Sequence, residues 1–399
     1  NQLAMKFHFL ILLICLVNEL TGQKESIVRL DGSRISFAEA DSIVRSLVDT
    51  ADIHGLCLSV LNNNKAVFIK SYGYRNQPAN QMLDTASIMY GASFSKAVFG
   101  YLVVKLVEEN LLDLDKPLYQ YLPKPIGDYE YFSDLKNDER CNVITARMCL
   151  NHTTGLPNIR WFNPVTNEED TLGVLKIYCT PGTKYAYSGE GFKLLQLVIE
   201  GLSNRTIDDL ATEKIFKPAG MNRTGYVWHS SFGDENTAVG HLNNGLIDIK
   251  KKRSTGVAGG SLVTTIADYT RFIEWVMQKK GLKTKSFDQM VNPDIEIFSK
   301  TQFPPVTFET TDENRGVGLA YGLGWGVLKC PYGRAFFKEG NGESWRNYNI
   351  NYIDKGMSII ILVNSENGEK IFQELLEKLL ADNCIPWEWE GYVSYKNEK

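Results

Sequence analysis

Five histidines in 399 residues, at positions 8, 54, 152, 229 and 241, fall at no spacing familiar from metal sites, which argues against a metallo-hydrolase. The seven cysteines form no C-x-x-C, so neither a zinc knuckle nor a thioredoxin-type redox pair is indicated. Basic charge is not in excess. With 43 Lys and Arg against 47 Asp and Glu the net charge is -4, and no nucleic-acid partner is implied. The one basic cluster, Lys250-Lys251-Lys252-Arg253, reads as a solvated loop. There is no internal repeat and no low-complexity linker. The apolar run from Phe9 to Val17 is too short to cross a membrane, so no membrane span is expected in the mature chain.

What is present describes a globular protein with a sizeable core, 43% hydrophobic and 23% charged, long enough for two or three domains or one composite one. Met5-Lys6-Phe7-His8 leads into that short apolar run and then into Asn18-Glu19. Residues 1–22 therefore read as a secretory signal peptide that starts at Met5 and is cleaved near Gly22. A lipid anchor on Cys15 is disfavoured, because Ile14 before it is not small. Cys57, Cys141, Cys149, Cys179, Cys330 and Cys384 remain, and spacing assigns no pairing among them.

Ser36-Phe37-Ala38-Glu39 is a capping box, and apolar residues from Phe37 to Val48 follow at helical spacing, predicting a first helix that stops at His54-Gly55. Leu56 to Leu61 and Ala66 to Gly73 read as a hairpin. The middle of the chain is mainly helical, with amphipathic stretches at 190–202, 207–216 and 268–277. Strand patterns return at 321–328, 335–338, 347–353 and 357–364, before a closing helix over 369–380. The expected fold class is α+β: an antiparallel sheet built from both ends of the chain (24–90 and 300–399), flanked by terminal helices, with a mainly helical insert (91–299).

Within that insert one stretch concentrates chemistry. Lys96 is the only charge between Ser93 and Val104, and on a helix it lies one turn from the Ser93 hydroxyl. A charge in an apolar helix is costly unless partnered, and desolvation lowers a lysine pKa, so this pair suits activation of a nucleophile. A helix cap beside a snorkelling lysine is the alternative. A second Ser-x-x-Lys, Ser133 to Lys136, lies in a polar run and reads as surface. Tyr187, in the Pro181-Gly182 loop before a helix, is a candidate partner. Nearby ammonium groups are expected to lower its pKa and make a phenolate base available.

Ser93-Phe94-Ser95-Lys96, Tyr187-Ser188-Gly189 and Lys338-Glu339-Gly340 resemble, in order and spacing, the Ser-x-x-Lys, Tyr-x-Asn and Lys-Thr-Gly motifs of class C β-lactamases and related penicillin-binding proteins and esterases. Asn151 to Pro157, Phe216 to Met221, Gly259-Gly260-Ser261-Leu262 and Tyr321 to Trp325 add to the resemblance, which spans roughly residues 36–380. It implies Ser93 as the acylated nucleophile and Lys96 with Tyr187 as the proton carriers. Lys338 would supply positive potential, and the backbone N–H groups of Ser93 and Asn341 an oxyanion hole. The substrate side would involve Gly189, Glu339 and Gly340. No metal or cofactor is implied, and the substrate would be a small acyl, peptide or β-lactam compound. Gly189 stands where the family has asparagine and Glu339 where it has threonine, so efficient cephalosporin hydrolysis is not expected. The expectation is an exported, periplasmic or secreted bacterial serine hydrolase. The competing one is a non-catalytic penicillin- or peptidoglycan-binding receptor with the same fold.

Overall fold

The computed structural model describes residues 25–307 and 309–397. The signal-peptide reading of residues 1–22 falls outside them. Among the described residues no helix is long and apolar enough to cross a membrane.

The fold is α+β and centres on a nine-stranded antiparallel sheet. Its strands, in spatial order, are Ile295–Glu296, Ala320–Tyr321, Gly326–Cys330, Gly333–Asn341, Arg346–Tyr352, Met357–Val363, Gly55–Asn62, Lys65–Asn76 and Gln81–Met82. The two ends of the chain meet in the middle. Val363 pairs with Leu56 and Ser358 with Leu61. Both central strands are buried along their whole length, which is why they read as continuous apolar runs rather than as alternating ones.

Alternation along these strands sorts their side chains between two cores. Leu56, Leu58, Val60, Ile359, Ile361 and Val363 face one core, shared with the Phe37–Thr50 and Phe372–Leu380 helices. Cys57, Leu61, Ile360 and Leu362 face the other, shared with the Phe94–Glu108, Gly189–Ser203 and Ile266–Met277 helices. The capping box forms as the sequence predicts, with the Ser36 hydroxyl accepting from the Glu39 N–H at 3.2 Å. That helix nevertheless ends at Thr50, before Gly55, because Asp52 takes a left-handed turn (φ 53).

The strand expected over 321–328 is instead a tight hairpin between Ala320–Tyr321 and Gly326–Cys330. Its glycine-rich turn is pinned from outside: the Leu323 N–H donates to Met290 O and the Gly324 N–H to Leu150 O. This turn seats the Phe94–Glu108 helix. A Cβ at Gly100 would lie 2.7 Å from the Leu323 carbonyl, so only glycine permits the contact. All six described cysteines are free thiols.

Candidate active site

The Phe94–Glu108 helix is buried at nearly every position, and Ser93, its N-cap residue, is the half-exposed exception at its mouth. The preceding strand, Met89–Ala92, pairs with Leu262–Thr264. Ala92 is held at φ 46, so the chain turns abruptly from strand into helix and presents Ser93 at the bend. The Ser95 hydroxyl locks that bend, donating to Ala92 O at 2.6 Å and accepting from the Leu262 N–H at 2.9 Å.

Lys96 lies one turn in, 2% exposed, and donates to the Ser93 Oγ at 3.0 Å and to the Gly259 carbonyl at 2.7 Å. Burial, reinforced by the nearby Lys338 charge and opposed by Glu339, lowers its pKa to about 7. Near neutral pH a large fraction of this amine is therefore unprotonated and able to accept the serine proton.

Tyr187 approaches from the loop before the Gly189–Ser203 helix. Its ring lies 4.9 Å from the Lys96 Nζ and 4.9 Å from the Lys338 Nζ, and its hydroxyl is in hydrogen-bond contact with Ser93 and Lys338. The phenolate expectation does not hold. Burial raises the Tyr187 pKa by more than the Lys338 charge lowers it, so the resting hydroxyl is protonated. His152, fully buried against the Tyr187 ring at 4.2 Å, fixes the loop by accepting the Ser188 N–H at 3.0 Å. Burial, with Lys338 and Lys96 nearby, keeps its pKa well below the usual range, so it is neutral.

The Gly333–Asn341 strand brings in the third group. The Gly326–Cys330 strand covers it only as far as Phe337, which leaves one edge of Lys338 to Asn341 free. Gly340 passes so close that a Cβ there would lie 2.7 Å from the Gly91 carbonyl and 3.2 Å from the Phe94 ring. The Asn347 amide ties the next strand to Tyr90 O at 3.0 Å. These contacts bring the end of the strand, with Asn341, against the turn that carries Ser93.

Glu339 does not reach solvent. Its Oε1 accepts from the Lys338 Nζ at 2.8 Å and from the Gln302 amide at 2.9 Å, and it is 3% exposed. Burial alone would raise its pKa, but Lys338 and Gln302 hold it below the usual carboxylate value. The same pair keeps Lys338 charged despite its own burial. Glu390, from the C-terminal segment, is driven the other way by burial first and the Glu339 charge second, and is a neutral acid that accepts from the Tyr348 hydroxyl at 3.1 Å.

Gly189 is the first residue of its helix, and the space a side chain would take is already filled. A Cβ there would lie 2.5 Å from the Asn158 carbonyl oxygen and 3.0 Å from its Oδ1. The lysine contact that an asparagine would make is taken over by the Gly259 backbone carbonyl. Gly259, Gln302 and Asn158 escaped the sequence reading because a carbonyl, and side chains arriving from distant loops, leave no local pattern. Gly259 alone sat in a noted phrase.

A nucleophilic serine, a lysine with a lowered pKa, a protonated tyrosine and a second ammonium at a free strand edge are the parts of an acyl-transfer site. A family model described as Beta-lactamase matches residues 40–381, and the chain belongs to that family. It is 26% identical over 330 residues to Penicillin-binding protein 4* of Bacillus subtilis strain 168, covering 77% of this chain and 67% of that one. Over 222 residues it is 23% identical to Protein flp of Staphylococcus aureus strain MW2, covering 54% and 43% respectively. The chain thus spans about two thirds of the first relative and less than half of the second. Among solved structures, the octameric penicillin-binding protein homologue from Pyrococcus abyssi superposes with a TM-score of 0.69 at 19% identity, covering 88% of this chain and 78% of that one. The penicillin binding protein from Bacillus halodurans gives 0.62 at 18%, covering 80% and 94%. At these identities the structural likeness establishes the fold.

Proposed function

We propose that this protein is a serine hydrolase that cleaves small esters or amides through an acyl-enzyme on Ser93. The observation that carries the reading is the buried, pKa-lowered Lys96 amine 3.0 Å from the Ser93 hydroxyl. In the acylation step Lys96 accepts the Ser93 proton as Oγ attacks the carbonyl carbon. The protonated Tyr187, recharged by Lys96 or Lys338, delivers a proton to the departing group, and water then cleaves the acyl-enzyme by the reverse relay. The backbone N–H groups of Ser93 and Asn341 hold the carbonyl oxygen.

Glu339 bears on substrate choice. With Lys338 already neutralised by a buried carboxylate, the site has little charge left for the carboxylate of a β-lactam, which supports esterase or peptidase activity over cephalosporin hydrolysis. The apolar run after Met5 supports action outside the cytoplasm. Intact-mass measurement after exposure to a fluorophosphonate tests the assignment: one adduct on the wild type and none on Ser93→Ala is expected, and equal labelling of both would refute it. The same Lys338–Glu339 pair favours a second reading, a penicillin- or peptidoglycan-binding receptor. For that receptor, adducts would form without any turnover of esters.

A further inference from the structure

Beside the candidate site lies a cavity of about 570 Å³, within the size range of small-molecule pockets. Three consecutive residues form the wall between the two. Gly259 O accepts from Lys96, Gly260 O accepts from the Tyr90 hydroxyl at 2.6 Å, and Ser261 lines the cavity. Tyr90, three residues before Ser93, is also a cavity wall, and Trp345, four residues beyond Asn341, meets its ring edge-on at 6.1 Å. Tyr226 and Trp228 complete an aromatic lining.

The rim is charged, and its pairing is uneven. Lys250 is bonded to Asp248 at 2.6 Å and Lys252 to Asp234 at 2.5 Å, so those charges cancel. Asp248 is further tied to the Ser344 hydroxyl and the Trp345 indole, which fixes the rim segment over the end of the free-edged strand. Lys251 and Arg253 have no ion-pair partner among the described residues, and of the carboxylates lining the cavity only Glu235 is left against them. Arg253 is close enough for its charge to act on both Tyr90 and Lys193, which places it at the mouth between the cavity and the Gly189–Ser203 helix.

We propose that this cavity receives the acyl part of the substrate and that Lys251 and Arg253 select an acyl chain with an apolar or aromatic body ending in a carboxylate. The inference rests on the acyl-enzyme reading above. A leaving group must depart toward its proton donor, Tyr187, so the acyl group extends the other way, past Tyr90 and Gly260 and into the cavity. Carboxylate recognition, blocked at Lys338 by Glu339, is thereby moved to the opposite end of the substrate.

The test compares the 4-nitrophenyl monoester of glutaric acid with uncharged 4-nitrophenyl valerate, on wild type and on Lys251→Gln/Arg253→Gln. Both residues are exposed, so the variant is expected to fold, and its melting temperature checks this. The wild type should prefer the anionic ester. The double variant should lose about tenfold in kcat/KM for it, mostly through KM, and change by less than about twofold for valerate. No anionic preference in the wild type, or an equal fall for both esters, overturns the proposal. Quenching of Trp228 and Trp345 fluorescence by 4-phenylbutyrate reads the cavity without turnover. Binding that weakens about tenfold in the double variant supports the proposal even if Ser93 proves non-catalytic, and absence of binding to the wild type overturns it.

Discussion

At the residue scale, the site divides proton chemistry by burial. Tyr187 and Lys96 are both buried, yet desolvation acts on them in opposite directions, because it disfavours the phenolate of one and the ammonium of the other. The base in the resting state is therefore the amine. Since Lys96 must lose its proton to act, kcat/KM for an uncharged ester should fall about tenfold per pH unit below the Lys96 pKa of about 7 and level off above it. A phenolate band near 295 nm should stay absent from Tyr187 through neutral pH, seen by difference against Tyr187→Phe. Glu339→Thr should let Lys338 meet a substrate carboxylate and increase turnover of a chromogenic cephalosporin. It should also lower the melting temperature, since a buried ammonium left unpaired costs about 3–5 kcal/mol. Ser93 and Lys96 were legible in the sequence because a lone charge in an apolar run demands a reason. The Tyr187 protonation state was not, because burial is set by residues such as His152 and Phe303 that arrive from elsewhere in the chain.

At the scale of elements, long periodic segments were read well and turns were not. The Phe94–Glu108 and Gly189–Ser203 helices form close to where the apolar spacing places them. The Tyr321 to Leu328 segment has strand composition throughout, and only its contacts with Met290, Leu150 and Gly100 show that it must fold back. That packing makes Gly100 a sensitive position. Gly100→Val would push the Leu323 carbonyl off the helix that carries Ser93, and a loss of about 1–3 kcal/mol in urea unfolding is expected, with ester turnover reduced alongside. A helix that needs only its own propensity would instead gain from losing a glycine, so a stabilised variant would contradict the packing argument.

At the scale of the whole molecule, joining both chain ends in one sheet was legible from where the strand patterns fall, and the order of the strands follows the simplest way to bury two apolar runs against each other. What the sequence could not show is how the C-terminal segment closes the site. Trp389 O accepts the Gln302 N–H, and the Tyr392 hydroxyl bonds the Asn341 side chain, so residues far past the last strand brace the groups that touch Glu339 and the free edge. A chain ending at Leu380 should retain the sheet yet lose ester turnover by about tenfold or more, as the Gln302–Glu339 contact loosens. Unchanged activity of the shortened chain would show that the brace is dispensable.

The adjacency of Gly55–Asn62 and Met357–Val363 also sets a schedule. During synthesis the first of these strands leaves the ribosome about 300 residues before its neighbour exists, a wait of about 15–60 s at ordinary elongation rates. Throughout that interval one edge of an apolar strand stands open, an invitation to aggregate that a chaperone would have to cover. The nucleophile is translated early but stays unassembled until the last sixth of the chain arrives. A nascent or broken copy of this hydrolase is therefore inert, and its chemistry begins only where the finished chain folds.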